Sequence, residues 1–179
     1  KTINLGLFYG MGKNKLASQL GVTLGEAEDL FDKYHNRVPF VKEMIERTMK
    51  KAADVGHVRT LLGRKCRFDK WEPARYGVHK PLSREDAERE HGKQIKRAFT
   101  YKALNKIIQG SAADMTKKAM VDLHKEGIVP HIQVHDELDC SFYSEAEKNK
   151  ILEIMKNAVE LQVPVKLDAE VGPSWGEAK

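Results

Sequence analysis

Over residues 1–56 the apolar positions recur at helical rather than alternating spacing, and glycines at 10, 12 and 21 cut the run into short pieces. Thr23 and Glu26 stand three apart ahead of the next apolar run, the spacing of a capping box. Pro39 suits the first turn of a helix reaching toward Gly56. This part reads as a helical lobe. The pattern then changes. Residues 57–62 and 65–68 flank Gly63-Arg64 as a hairpin, and residues 69–92, interrupted by glycine and proline, read as mostly loop with one short helix from Ser83. A long helix is expected over residues 93–125, stopping at Gly127. Ile132, Val134, Leu138, Cys140 and Phe142 alternate with polar residues about residues 135–137, which predicts a second hairpin within 130–143. Ser144 and Glu147 offer another capping box for a helix through residue 161, and residues 163–171 alternate as a last strand. The expected class is α+β, a helical lobe over 1–56 followed by a part with few antiparallel strands over 57–179.

Composition narrows the function classes. With 179 residues and 41% apolar positions the chain can bury a core as one domain or as a two-lobed piece of a larger one. The charged fraction is 32%, and no apolar run approaches the roughly 18 residues of a membrane crossing, so a spanning protein is excluded and no membrane partner is expected. Cys66 and Cys140 form no CxxC pair, which argues against a disulfide framework or thiolate zinc site and for a reducing, intracellular setting. Thirty-one Lys and Arg against 26 Asp and Glu leave a net charge of +5, which favours a polyanionic partner without deciding for one. The chain opens at Lys1, directly into a helical pattern, and is expected to be a piece of a longer polypeptide.

Three features carry candidate chemistry. On the first helix Lys1, Leu5 and Tyr9 fall within about 80° of one another, so a cation and a flat ring share a face that could hold a phosphate and stack on a base. The plain alternative is a partly exposed amphipathic helix. His135-Asp136-Glu137 sits at a strand-turn-strand tip, where carboxylates are poor turn residues unless they serve a ligand. Two metal ions roughly 3.5–4 Å apart need bridging carboxylates, and this segment supplies only half of such a clamp. His131 and His135 lie about 13 Å apart if both are in a strand, too far to share an ion. On the long helix Lys102, Asn105, Lys106 and Gln109 form one stripe opposite Leu104, Ile108 and Met115. Amides both donate and accept, which suits the acceptor-rich minor groove, while an ordinary solvent-facing helix would show the same pattern. Arg59, Arg64, Lys65 and Arg67 around the first hairpin read mainly as a solvated face.

In order, Lys1-Thr-Ile-Asn-Leu-Gly-Leu-Phe-Tyr9-Gly10, Gln109-Gly-Ser-Ala-Ala-Asp114 and Val134-His-Asp-Glu-Leu138 resemble the C-terminal half of a family A, DNA polymerase I-like polymerase. The similarity extends over most of the chain except the loop around residues 69–92. The resemblance implies fingers helices over 1–56 and part of the palm over 57–179. Lys1 would then hold the triphosphate, Tyr9 would stack near the templating pair, and Asn105 and Gln109 would touch the primer-template minor groove. Asp136 would be a metal ligand, Glu137 an accessory carboxylate and His135 a contact to the primer end. Leu5 departs from the phenylalanine or tyrosine of many relatives, leaving a softer wall against the sugar, and leucine there is familiar among phage-encoded members. Primer-template DNA, a dNTP, the upstream remainder of the polypeptide and two Mg²⁺ ions are implied, in the cytoplasm of a host if the source is a phage. The second palm aspartate and the thumb would lie upstream, so the 179 residues alone are expected not to polymerise. The polymerase reading requires Lys1 and Asp136 to face one cleft. Two other readings use the same residues. One is a metal-dependent nuclease built on Asp136, Glu137 and Asp139, and the other a non-catalytic duplex-binding module using Asn105 and Gln109.

Overall fold

The computed structural model describes residues 2–75 and 77–178. It divides into two compact units, Lys1–Gln109 and Gly110–Lys179. The first opens with four helices, α1 (Thr2–Phe8), α2 (Lys13–Leu20), α3 (Leu24–Arg37) and α4 (Pro39–Val55). The capping box forms as expected: the Thr23 hydroxyl accepts from the Glu26 N–H at 3.3 Å, and the Glu26 carboxylate accepts from the Thr23 N–H at 2.9 Å. Those bonds to Thr23 hold the Glu26 carboxyl below its ordinary value. Pro39 occupies the first turn of α4, where its missing N–H costs no helical bond. Leu7, Leu16 and Ala27 are fully buried and draw Met11, Phe31 and Tyr34 around them. His35 is buried too, its ring 4.3 Å from that of Phe31, and its Nδ1 finds no partner among the described residues.

α4 ends at Gly56, left-handed with φ 78°, and the chain enters β1 (His57–Arg59), paired antiparallel with β2 (Lys65–Arg67). The first hairpin is thus present, with a loop closed by the Thr60 N–H donating to the Arg64 carbonyl at 3.0 Å. Beyond it the chain departs from expectation. Residues 69–92 include β3 (Trp71–Pro73) as well as the anticipated helix, α5 (Arg84–His91), whose Ser83 cap accepts from the Asp86 N–H. β3 pairs antiparallel with β4 (Ile95–Arg97), so the long helix does not begin at residue 93. A 3₁₀ turn at Thr100–Lys102 follows Phe99, which takes φ 62°, and α6 runs over Ala103–Lys125. The cause is tertiary. The β3 ladder satisfies the backbone of residues 95–97, and the Arg97 guanidinium donates to the carbonyls of Ala53 and Phe68 at 3.1 and 2.9 Å. Ala52, Val58, Phe68 and Ala103 form the core beneath.

The chain passes into the second unit within α6. There Leu123, Ile128 and Ile151 are buried, with Leu138, Cys140, Phe142, Ile154 and Met155 against them. β5 (Ile132–Val134) and β6 (Glu137–Asp139) form the second hairpin, and α7 (Glu145–Asn157) follows the Ser144 cap, ending four residues before the expected 161. The Glu147 carboxylate accepts from the Tyr143 N–H at 2.8 Å, one residue upstream of a regular box. Residues 163–171 are not a strand: their alternation has no backbone ladder among the described residues to join, and a strand exists only with a partner. The class is α+β, with three two-stranded antiparallel pairs among the described residues. No described helix is long and apolar enough to cross a membrane.

Two stability predictions follow from this packing. A Cβ on Gly56 would lie 2.7 Å from the Arg97 guanidinium carbon, whereas one on Gly63, also at positive φ, meets nothing within 4 Å. Both alanine substitutions should cost about 1–2 kcal/mol for the backbone, and Gly56→Ala about 1 kcal/mol more for displacing Arg97, read from urea midpoints. Equal losses would mean that the Arg97 bonds contribute nothing. Burial, and then the Lys42 charge, lower the His35 pKa below its ordinary 6.5, against the opposing pull of Asp32 and Glu46. As pH falls through 6.5 the unfolded chain takes up a proton that the folded one resists, so stability should decline between about pH 7 and pH 5.5. His35→Leu should flatten that decline in denaturation curves collected across the range.

Candidate functional site

α1 ends in a Schellman motif that fixes Tyr9. The Met11 N–H reaches the Gly6 carbonyl at 2.8 Å and the Gly10 N–H reaches that of Leu7 at 3.0 Å, with Gly10 at φ 81°. The Met11 terminal methyl occupies the space that a Cβ on Gly6 would take. Leu5 is 48% exposed and Tyr9 half-buried, its ring set edge-on to Phe8 at 5.8 Å. Gln109, exposed on α6, donates from Nε2 to the Tyr9 hydroxyl at 3.2 Å. Two side chains one hundred positions apart, singled out separately on the sequence, therefore meet. Asn105 is one turn before Gln109 on α6, and its Oδ1 is buried without a hydrogen-bond partner among the described residues. The four-residue stripe expected on this helix is not intact. Lys102 lies in the 3₁₀ turn before α6 with its ammonium 4.9 Å from the Phe99 ring, and Lys106 donates to the Arg67 carbonyl at 3.3 Å over the Phe68 ring. The amides, not the lysines, remain as the candidate contacts of this face. Lys1 lies outside the described residues, and so does the expected cleft between it and Asp136.

In the second unit His135 and Asp136 form the two-residue turn between β5 and β6, next to the closing pair Val134↔Glu137. His135 takes φ 54°, a conformation that glycine or asparagine adopts more easily, and the Gln133 amide braces it by donating to the His135 carbonyl at 2.8 Å. The turn leaves Asp136 and Glu137 exposed, and neither carboxylate has a hydrogen-bond or ion-pair partner among the described residues. His131 is occupied elsewhere, its Nε2 3.0 Å from the Ser141 hydroxyl. A cavity of about 480 Å³ opens beside the tip, lined by Asp136, Glu137 and Asp139 over a floor that includes Ile151 and Met155. Burial, and then the charge of Asp139, push the Cys140 thiol up, so it stays a thiol rather than a thiolate ligand. The donors offered at the tip are therefore carboxylate oxygens, the chemistry of a hard cation such as Mg²⁺. No group of three His, Cys, Asp or Glu side chains stands ready to hold a metal ion among the described residues.

Sequence reasoning missed Arg97, placed by it on a helix, and Gln133, which braces the tip. The role of Arg97 emerges only from the β3–β4 pairing, which sets it opposite Trp71 with ring and guanidinium 4.5 Å apart.

The family model for DNA polymerase family A matches residues 1–177. A DNA-directed DNA polymerase of Pseudomonas phage M6 is 31% identical over 99% of the chain, and a thermostable DNA polymerase I of Thermus filiformis is 37% identical over 100% of it. The POL domain of Pol1 from M. smegmatis, solved in complex with DNA primer-template and dNTP, superposes with a TM-score of 0.69 at 30% identity over 92% of the chain. The chain spans 29% of the phage relative, 20% of the Thermus relative and 28% of the M. smegmatis chain. A family model that matches along essentially its whole length makes this chain a member of DNA polymerase family A.

Proposed function

We propose that the chain supplies the fingers helices (residues 1–56) and the C-terminal part of the palm (residues 57–179) of a polymerase that extends a primer on a DNA template. The observation that carries this reading is the β5–β6 tip, where an uncompensated Asp136 follows a left-handed His135 in a chain of this family. Backbone strain held at an exposed carboxylate suits a group that awaits a ligand. In the reaction the primer 3′-hydroxyl attacks the α-phosphate of a deoxynucleotide, a P–O bond forms to the primer, and the bond to pyrophosphate breaks.

Each residue has a distinct task. Lys1 holds the triphosphate and offsets the negative charge that develops on the leaving pyrophosphate. Tyr9 stacks near the templating pair, and Leu5 forms a small, soft wall beside the sugar. Asn105 and Gln109 probe minor-groove acceptors common to all correct pairs, so they test pair shape without reading sequence. The exposed Tyr9–Gln109 hydrogen bond supports this, because it can be exchanged for contacts to DNA. His135 contacts the primer end. Asp136 and Glu137 would hold magnesium, which when bound supplies a lowered hydroxyl pKa and charge neutralisation at the phosphates. The two carboxylates of this tip are half of a two-ion clamp, and other carboxylates must complete it. The proposed setting is the cytoplasm, that of a host if a phage encodes the protein.

Two experiments test the reading. In a polymerase polypeptide that carries this chain, Asp136→Ala should reduce primer extension by roughly a hundredfold or more while leaving primer-template affinity within a few-fold. Activity equal to that of the parent would remove Asp136 from the reacting centre, and DNA binding without any extension by the parent would favour a plain duplex-binding module. The 179-residue chain by itself should not extend a primer in the presence of Mg²⁺ and dNTPs; measurable extension would show that half a clamp suffices.

A further inference from the structure

The β1–β2 hairpin carries a group of cations that neither the amide face nor the Asp136 tip uses. Its register sets His57 opposite Arg67, Val58 opposite Cys66 and Arg59 opposite Lys65. Side chains alternate across a strand, so the middle pair points one way and the two outer pairs the other. Val58 is fully buried and packs with Cys66 against Ala52, Phe68 and Ala103, which settles the direction. Arg59, Lys65 and Arg67 therefore share the outer face; all three are exposed, and His57 on that face is half-buried. None of the four has a carboxylate partner among the described residues, and Asp54 and Asp69, which flank the hairpin along the chain, form no ion pair there. The Arg59 guanidinium donates to the Gly63 carbonyl at 2.7 Å, a bond that steadies the side chain and leaves its charge uncompensated. Elsewhere in the unit Lys80 pairs with Glu90 at 2.5 Å, Arg84 with Glu88 at 2.8 Å and Arg89 with Asp86. Cations directly opposite one another on a strand pair repel, and a hairpin of three residues per strand has little ladder to set against that. The core under Val58 holds them together, and an external anion would relieve the repulsion. The hairpin also adjoins α6: the Lys106 ammonium donates to the Arg67 carbonyl at 3.3 Å, and the Cys66 thiol lies 3.9 Å from the Lys106 carbonyl. Lys106 is the residue after Asn105, so β2 lies against the helix that carries the amides.

We propose that the outer face of the β1–β2 hairpin, through Arg59, Lys65 and Arg67, binds the sugar-phosphate backbone of primer-template DNA beside the groove that Asn105 and Gln109 probe. The proposal rests on the polymerase function given above. DNA is chosen over an acidic protein because the cations adjoin the helix of the amide face and the chain carries a net charge of +5. The two surfaces divide the work. Neutral amides test the shape of a base pair, while guanidinium and ammonium groups on phosphate oxygens fix the position of the duplex and carry no base information.

The test is the salt dependence of binding of the 179-residue chain to a primer-template duplex. Arg59→Gln/Lys65→Gln/Arg67→Gln should lower the slope of log K against log salt by about two, so that a deficit of about tenfold at 50 mM salt closes toward parity at 200 mM. Lys80→Gln/Arg84→Gln/Arg89→Gln removes the same formal charge from paired cations and should change the slope far less. Lys65→Glu sets a carboxylate opposite Arg59, so the hairpin satisfies its own charge: DNA binding should weaken while Tm rises by about 2 °C. Equal slopes for the parent and the Arg59/Lys65/Arg67 variant would overturn the backbone contact and leave the polymerase reading, tested separately by extension, intact. An equal effect from the Lys80/Arg84/Arg89 variant would reduce the contact to net charge and also overturn it. So would a Lys65→Glu chain that binds DNA as the parent does or melts below it, or a parent chain that binds no DNA at 50 mM salt.

Discussion

The guanidinium of Arg97 stands where the end of α4, the β2–β3 connection and β4 converge, and it binds carbonyls of the first two at 3.1 and 2.9 Å while stacking on Trp71. Donors fixed on a planar fork can bond two backbone carbonyls while the face of the fork lies on a ring, a geometry that the compact ammonium of a lysine does not reproduce. Gly56, at positive φ and without a side chain, leaves room for this contact, since a Cβ there would lie 2.7 Å from the guanidinium carbon and push it aside. With β4 held in this way, the chain turns through Phe99 and starts α6 at Ala103, which sets the rotation of α6 and thus the direction of Asn105 and Gln109. The amide face of the first unit therefore depends on a residue that never touches it.

Each unit presents chemistry on a differently built support. In the first, Tyr9 is fixed by a helix-terminating motif and Gln109 by a helix interior, and the hydrogen bond between them joins two rigid elements. In the second, Asp136 is displayed by a tight turn with a strained neighbour, braced by Gln133 and underlain by the core around Leu123 and Ile151. A carboxylate displayed in this way is desolvated little and stays available to a cation, while the thiol of Cys140 beneath it is kept protonated.

The sequence by itself determined what is encoded within a few residues. Thr23 with Glu26, Pro39, Gly56, Ser83 and Ser144 fixed where helices begin or end, since a cap or a left-handed glycine is a local bond or a local torsion. Alternation on both sides of residues 135–137 gave the second hairpin, and the ordered motifs gave the family. Three things were settled only by tertiary structure. The helix expected from residue 93 became β4 because its partner, β3, lies more than twenty residues away across α5, and a strand's free energy sits in bonds to its partner. The alternation over residues 163–171 produced no strand for the same reason. The meeting of Tyr9 with Gln109, and the pairing of Trp71 with Arg97, are likewise properties of contact between distant segments, which no local pattern of side chains can specify.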